Sequence, residues 1–387
     1  MSTPPREGLF IPAEICHIIC QNPELTHADF KALAAVSRNF RGEAYLLSLY
    51  SSAEVRDPTK LRTFCTTAIR QPHLAKVMRN LVLHMPAEGA LDPDTISAIV
   101  QLLSMATNLQ SLHVLSLLPN YIDRSKQSWI LCGHSFRLTT LVNTYFNTMT
   151  MKEMIYMQPK LQTLMIPHTS RVELWLPHFS HLTTFSCSAF TLRQWYEGPA
   201  FTNIERLQFG IMPGVMDKRA MPPPKQIFKL YKAVKSLSVS IQDGLETLWK
   251  SWTMEAMVAA AAVHMHGIKF LQIMDYTQTK KEPRVSFFLS IARFKQLETL
   301  ILRPPNLLSR DQTGQEPILS SWRGLQTDAG RKSTAEEIMG TLPTLKRLIF
   351  TLNVDSEDVN YEFKRVSSSA LDLLEALVTL HEDEWLL

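Results

Sequence analysis

Residues 182–209 read LTTFSCSAFTLRQWYEGPAFTNIERLQF, and they hold one short phrase twice. The phrase is an apolar residue, two polar residues, a large apolar residue, one further position, then a second apolar residue: Leu182-Phe185-Cys187 and Ile204-Leu207-Phe209. Its last half alternates like a short strand with one side turned inward. Outward from this pair the phrase recurs at Met78-Leu81-Leu83, Leu109-Leu112-Val114, Leu138-Leu141 and Leu161-Leu164-Ile166. Beyond it come Val234-Leu237-Val239, Ile268-Leu271-Ile273, Leu297-Leu300-Leu302 and Leu345-Leu348-Phe350. Counted on the middle residue, the ten copies are spaced by 31, 29, 23, 21, 22, 30, 34, 29 and 48. A strand repeated in this way stacks its inward side chains on those of the next coil, and the chain returns on the outside.

The pattern is that of leucine-rich repeats, whose usual period is about 20 to 29 residues. The expected fold class is therefore α/β: an irregular solenoid over 77–352, with parallel strands and helical or loop returns. The short central steps fit best, the longer ones need insertions, and the copy at Leu138-Leu141 lacks its third apolar position. Helical spacing predicts returns at 94–105, 249–264 and 334–342. Met221-Pro-Pro-Pro224 predicts a rigid linker, and 304–331 a projecting loop. Leu371, Leu374, Leu377 and Val378 predict a helix over 367–380 that caps the last coil within 353–387, ahead of the acidic end His381-Glu-Asp-Glu384. Positions flanking the inward leucines would face the concave side. His113, Met165, Ser186, Arg206, Gln208, Phe270, Gln272 and Arg347 are the expected substrate-binding positions there, because aromatic and Arg side chains anchor most interfaces.

Ahead of the repeats, residues 9–50 read as a helical unit. Pro12 suits a first helical position, and Ile11, Ile15, Ile18 and Ile19 form one apolar face. Asn22-Pro23 breaks that helix. Thr26 with Asp29 resembles a capping box. Phe30, Leu33, Ala34, Ser37 and Phe40 continue a second helix, and Ala44, Leu47 and Leu49 a third. About forty residues bury too little surface to be robust alone, so the apolar face needs cover.

This unit resembles an F-box of the fungal type. The resemblance lies in Ile11-Pro12-Ala13-Glu14, Ile18-Ile19, Asp29-Phe30 and Val36-Ser37-Arg38-Asn39-Phe40, and it spans roughly a tenth of the chain. The departures are Ile for the family's leading Leu, Phe for its frequent Trp, and a long link between the first two helices. The alternative is an ordinary helical cap on a repeat domain. The resemblance implies docking onto a Skp-type adaptor that leads to a cullin–RING ubiquitin ligase, with the repeats selecting the target. By that resemblance the adaptor contacts are Ile11, Pro12, Ile15, Ile18, Ile19, Phe30, Leu33, Val36 and Phe40. Residues 1–8 are expected to be a disordered tail, 51–60 a loop, and 61–76 one or two joining helices.

Composition narrows the classes. With 387 residues, 40 Lys plus Arg against 36 Asp plus Glu, and 45% hydrophobic residues, the chain is globular. Its mild charge argues against nucleic acid or an anionic membrane as partner. Only 13 glycines make phosphate loops scarce. Cys16, Cys20, Cys65, Cys132 and Cys187 are scattered and odd in number, which suits free thiols in a reducing compartment, cytoplasmic or nuclear. No signal pattern or long apolar run appears.

The sequence offers little chemistry. Residues 324–333, GLQTDAGRKS, approximate a phosphate loop with both spacings one residue too long. His264 and His266 alternate as on a strand edge, with no further ligand nearby. Cys16 and Cys20, one helical turn apart, fit small core residues. Lys225, Lys229 and Lys232 make a basic stripe open to an acidic contact. No G-x-S-x-G, H-E-x-x-H or C-x-x-C occurs. Neither an enzymatic residue set nor a metal or cofactor is expected. A plain protein-binding scaffold stands as the alternative to a ligase subunit, and an enzyme built on the repeat loops as a third reading.

Overall fold

The computed structural model describes residues 11–20, 22, 25, 27–86, 91–116, 125–146, 148, 151–169, 172–174, 178–193, 203–212, 223–242, 252–279, 285–307, 324–354, 357–365, 373–380 and 384–386. The expected tail at 1–8, the Thr26 cap, Met221 and Pro222 of the expected linker, 308–323 of the expected loop and the acidic residues 381–383 lie outside them. The chain divides into two units, residues 1–161 and 162–387. It is mixed α/β, and within each unit most strands lie parallel to the next.

The first unit opens on α1 (Ala13–Cys20), α2 (His27–Val36) and α3 (Arg38–Ser51). The predicted run from Phe30 to Phe40 is cut at Ser37. Its extended backbone and its hydroxyl, which accepts from Phe40 N, start a new helix instead. Then come β1 (Ser52–Val55), α4 (Leu61–Arg70), α5 (Pro72–Val77), β2 (Asn80–Met85), α6 (Pro93–Met105), β3 (Ser111–Ser116), β4 (Thr140–Asn143) and α7 (Lys152–Tyr156). The segment read as a loop, 51–60, contains β1. Ala53 and Val55 pair with Leu81 and Leu83 and are buried like them, a repeat position too weak in leucine to be read from sequence. Leu81, Leu112 and Leu141 stand in one register across β2, β3 and β4. Asp92 caps α6 through Thr95 N, and Pro93 takes its first position.

The second unit contains β5 (Thr163–Met165), β6 (Thr184–Ser188), α8 (Ala189–Arg193), β7 (Arg206–Ile211), α9 (Pro224–Phe228), β8 (Ser236–Ile241), α10 (Met254–His264), β9 (Phe270–Asp275), β10 (Gln278–Thr279), α11 (Val285–Ile291), β11 (Thr299–Arg303), β12 (Asn306–Leu307), α12 (Asp328–Thr341), β13 (Arg347–Val354), β14 (Glu357–Arg365) and β15 (Leu373–Val378). Strands β5, β6, β7, β8, β9, β11 and β13 are parallel neighbours in that order. The middle residues of the phrase, Leu164, Phe185, Leu207, Leu237, Leu271, Leu300 and Leu348, fall in a single register and are fully buried. This ladder and the helices behind it form the core.

Of the capping helix predicted over 367–380, residues 367–372 lie outside the described residues, and the described part holds a strand instead. Strand β14 pairs antiparallel with β13, and β15 with β14. An open β13 edge rewards any segment that satisfies its backbone groups, and this tertiary gain outweighs the helical spacing of the leucines. Helix α12 begins at Asp328, inside the predicted loop, because Thr327 caps it through Gly330 N. At Gly330 a Cβ would lie 2.1 Å from the Gly324 carbonyl oxygen, so only glycine fits this start.

Candidate functional site

Each unit carries one surface with unusual chemistry. In the first, α1 buries Cys16 and Cys20 rather than its isoleucines. The thiols sit one turn apart and face inward, and burial pushes Cys20 up to about 11. The helix is held by His17, whose Nδ1 lies 3.0 Å from Glu43 Oε2 of α3, and by Asn39 Nδ2, which donates to the Ile11 carbonyl. With that side fixed, Ile15, Ile18 and Ile19 are left 46%, 64% and 38% exposed on the opposite face, and Val36 at the end of α2 is 64% exposed. Pro12 is exposed, and Ile11 and Leu33 are half-buried. Phe40, at 2% exposure, and Phe30 are core residues. These two are removed from the expected adaptor contacts, because the three helices need an aromatic centre of their own. Large aliphatics left in water at helical spacing mark an interaction surface.

In the second unit, the sheet face opposite the leucine ladder is polar at its centre. Ser186, Gln208, Ser238 and Gln272 share a register across β6 to β9. Ser186 Oγ donates to Gln208 Oε1 at 2.8 Å, and Ser238 Oγ donates to Gln272 Oε1 at 2.9 Å. His168 Nε2 lies 3.3 Å from Ser186 Oγ. Burial drives the imidazole down to about 4, so it is neutral at pH 7. The serine proton is committed to Gln208, which makes His168 the donor rather than a base. The pair is a hydrogen-bond relay, not a nucleophile with its activator. Gly210 leaves room for this ring, since a Cβ there would stand 2.5 Å from His168 Cβ.

The expected substrate positions separate on this evidence of packing. Met165, Ser186, Arg206, Gln208, Phe270, Gln272 and Arg347 share the face, whereas His113 belongs to β3 of the other unit. Ser186 is consumed by the relay. Phe270 is buried in a cluster with Ile301, Ile349 and Trp385. Arg347 Nε is paired with Glu362 of β14. Burial pushes the Glu362 carboxyl up, but Lys364 and Arg347 together outweigh it and hold it below the ordinary range. These three are therefore structural, while Arg206, Gln208 and Gln272 stay half-exposed. Trp385 was invisible in the sequence reading, because the acidic residues before it read as a solvated end.

No protein-family model and no curated protein matches the chain.

The weaker motifs resolve as follows. In 324–333 the backbone N–H of Gly330 is taken by Thr327, and Arg331 is buried over the Tyr361 ring, so no phosphate cradle forms there. His264 ends α10 and His266 lies in the following turn, not along a strand. Burial lowers His264, and Lys225, Lys232, His266 and Lys229 lower it further, which gathers those lysines into one basic patch. Among the described residues no group of three His, Cys, Asp or Glu converges, and no helix is long and apolar enough to cross a membrane.

Proposed function

We propose that residues 9–50 form an F-box-like module, that residues 77–352 form an irregular leucine-rich-repeat solenoid, and that the chain is the substrate-recognition subunit of a cullin–RING ubiquitin ligase in the cytoplasm or nucleus. The observation that carries the reading is α1. Its inner side is filled by two cysteines, and three isoleucines are left facing out where the F-box resemblance calls for adaptor contacts. The register-matched inward residues support the repeat half: Ala53 and three leucines in the first unit, and Phe185 and six leucines in the second. No bond is made or broken by this chain. It contributes proximity, holding a target near a ubiquitin-loaded partner.

Co-expression with a Skp-type adaptor tests this. The adaptor should co-purify in a stoichiometric complex. Burying an isoleucine is worth about 1.5–3 kcal/mol, so Ile15→Asp with Ile18→Asp should weaken capture by about 100-fold or more, with the melting temperature of the free chain unchanged. Unaltered capture by the double variant, or none by the parent chain, sinks the ligase reading in favour of a binding scaffold.

A further inference from the structure

The turn that leads a return into its strand recurs along the chain. At 106–109, 158–161, 179–182, 231–234, 265–268 and 342–345 the N–H of the fourth residue donates to the carbonyl of the first, and both side chains are buried. Residues 294–297 hold the same place ahead of β11, with Phe294 and Leu297 buried. The second residue of each turn is exposed and has no packing to satisfy. It is Thr107, Pro159, Ser180 or Pro343 in four of them, but Lys232, His266 and Lys295 in the three consecutive turns before β8, β9 and β11. These three each stand five residues ahead of Leu237, Leu271 and Leu300, which share one register, so they form a row. Parallel neighbours lie about 4.8 Å apart, so the row is about 10 Å long, the reach of about four residues of an extended peptide.

More positive charge accompanies the row. Lys225 and Lys229 are exposed on α9 and just after it, and Arg293 is exposed beside Lys295. Helix α9 packs on α10, and α10 on α11. Besides its burial, His264 at the end of α10 is lowered by Lys225, Lys232, His266 and Lys229, so all four lie within electrostatic reach of one ring. Among the described residues of 224–234, 254–268 and 285–297 the acidic side chain is Glu255, in the first turn of α10, nine residues from His264. The lysines one step into the strands are neutralised instead: Lys235 meets Glu205 at 2.7 Å and Lys269 meets Glu298 at 3.6 Å. Water solvates each ammonium but leaves the summed field in place, and such a field draws in an anionic partner. We propose that the row Lys232, His266 and Lys295, with Lys225, Lys229 and Arg293 beside it, docks an extended acidic segment of a partner protein. Nucleic acid fits less well, because no exposed aromatic ring stands among these described residues for bases to stack on. Phosphate groups favour arginine forks, whereas lysine predominates here. The inference goes beyond adaptor capture by α1 and does not depend on it.

The probe is a fluorescein-labelled ESESESES peptide, titrated by anisotropy against the full chain at low salt and without any adaptor, with QSQSQSQS as the neutral control. The acidic peptide should bind at least about tenfold more tightly than the neutral one, and raising the salt should weaken it. Lys232→Ser, His266→Ser and Lys295→Ser together place in each turn the residue type found at Ser180. They should weaken binding about tenfold with the melt of the chain unchanged. Lys232→Gln with Lys295→Gln, which keeps most of each aliphatic stem, should produce most of the same loss and serves if the triple variant melts early. Lys31→Ser, Lys76→Ser and Lys160→Ser, at exposed positions elsewhere, should leave binding within about twofold of the parent. Equal loss from that control set overturns the proposal, because net charge alone then binds the peptide. It is also overturned if the acidic peptide does not bind, if the row variants bind like the parent, or if labelled octathymidine or phosphatidylserine vesicles bind the row more tightly than the peptide does. Adaptor capture by α1 is read in a separate experiment, so failure of either leaves the other standing.

Discussion

His168 should make the second unit acid-labile, and the size of the effect follows from its surroundings. The imidazole is wedged over Gly210 with Ser186 and Gln208, both uncharged, as its polar neighbours. Burial lowers it from 6.5 to about 4. Between those two values the unfolded chain binds a proton that the folded chain refuses, so stability rises with pH across the window and falls on acidification. At pH 5.0 the loss from this group is about 2 kcal/mol, and at pH 7.5 close to zero. Urea titration followed by tryptophan fluorescence, at both pH values, on the parent chain and His168→Gln, isolates it. Any constant cost of the substitution cancels in the comparison, as do contributions from His113 and His264. The parent should lose about 2 kcal/mol more than the variant on going from pH 7.5 to 5.0. Equal losses would refute the reasoning and place the ring in water.

Gly210→Ala drives a methyl into the His168 ring and should destabilise by about 1–3 kcal/mol, while shrinking the acid effect as the ring is pushed toward solvent; both are read in the same titrations. Arg303 is buried, donates Nη1 to the Asp275 carbonyl at 2.8 Å, pairs Nη2 with Asp358 Oδ1 at 3.1 Å and lies 4.1 Å over the Tyr276 ring. Arg303→Leu should cost about 3 kcal/mol, and Arg303→Lys should recover less than half of it, since the planar fork is lost; thermal melts decide. Cys132 alone among the five cysteines is half-exposed. Brief alkylation of the native chain should label Cys132 and spare Cys16, Cys20, Cys65 and Cys187 until denaturant is added, as read by mass spectrometry.

The repeated phrase, read in order, was enough to locate ten parallel strands and the residues that stack between them, because burial on one side of a strand leaves a period-two mark that survives insertions of any length. The helices at α6 and α10 were legible for a similar reason: apolar residues at helical spacing are a local fact. The segment after residue 366 was not. Its leucines suit a helix or a strand, and only the open edge of β13, brought there by every strand before it, chose the strand. Orientation was hidden too. The F-box resemblance groups Ile15, Ile18 and Ile19 with Phe30 and Phe40, but which of them face water depends on which sides α1, α2 and α3 turn to one another. Likewise Trp385 meets Ser236 and Phe270 across more than a hundred residues of chain, a contact that no local pattern encodes. Sequence fixes periodicity and caps through neighbours a few residues away; exposure, occupancy and the partnering of polar groups are settled by long-range packing.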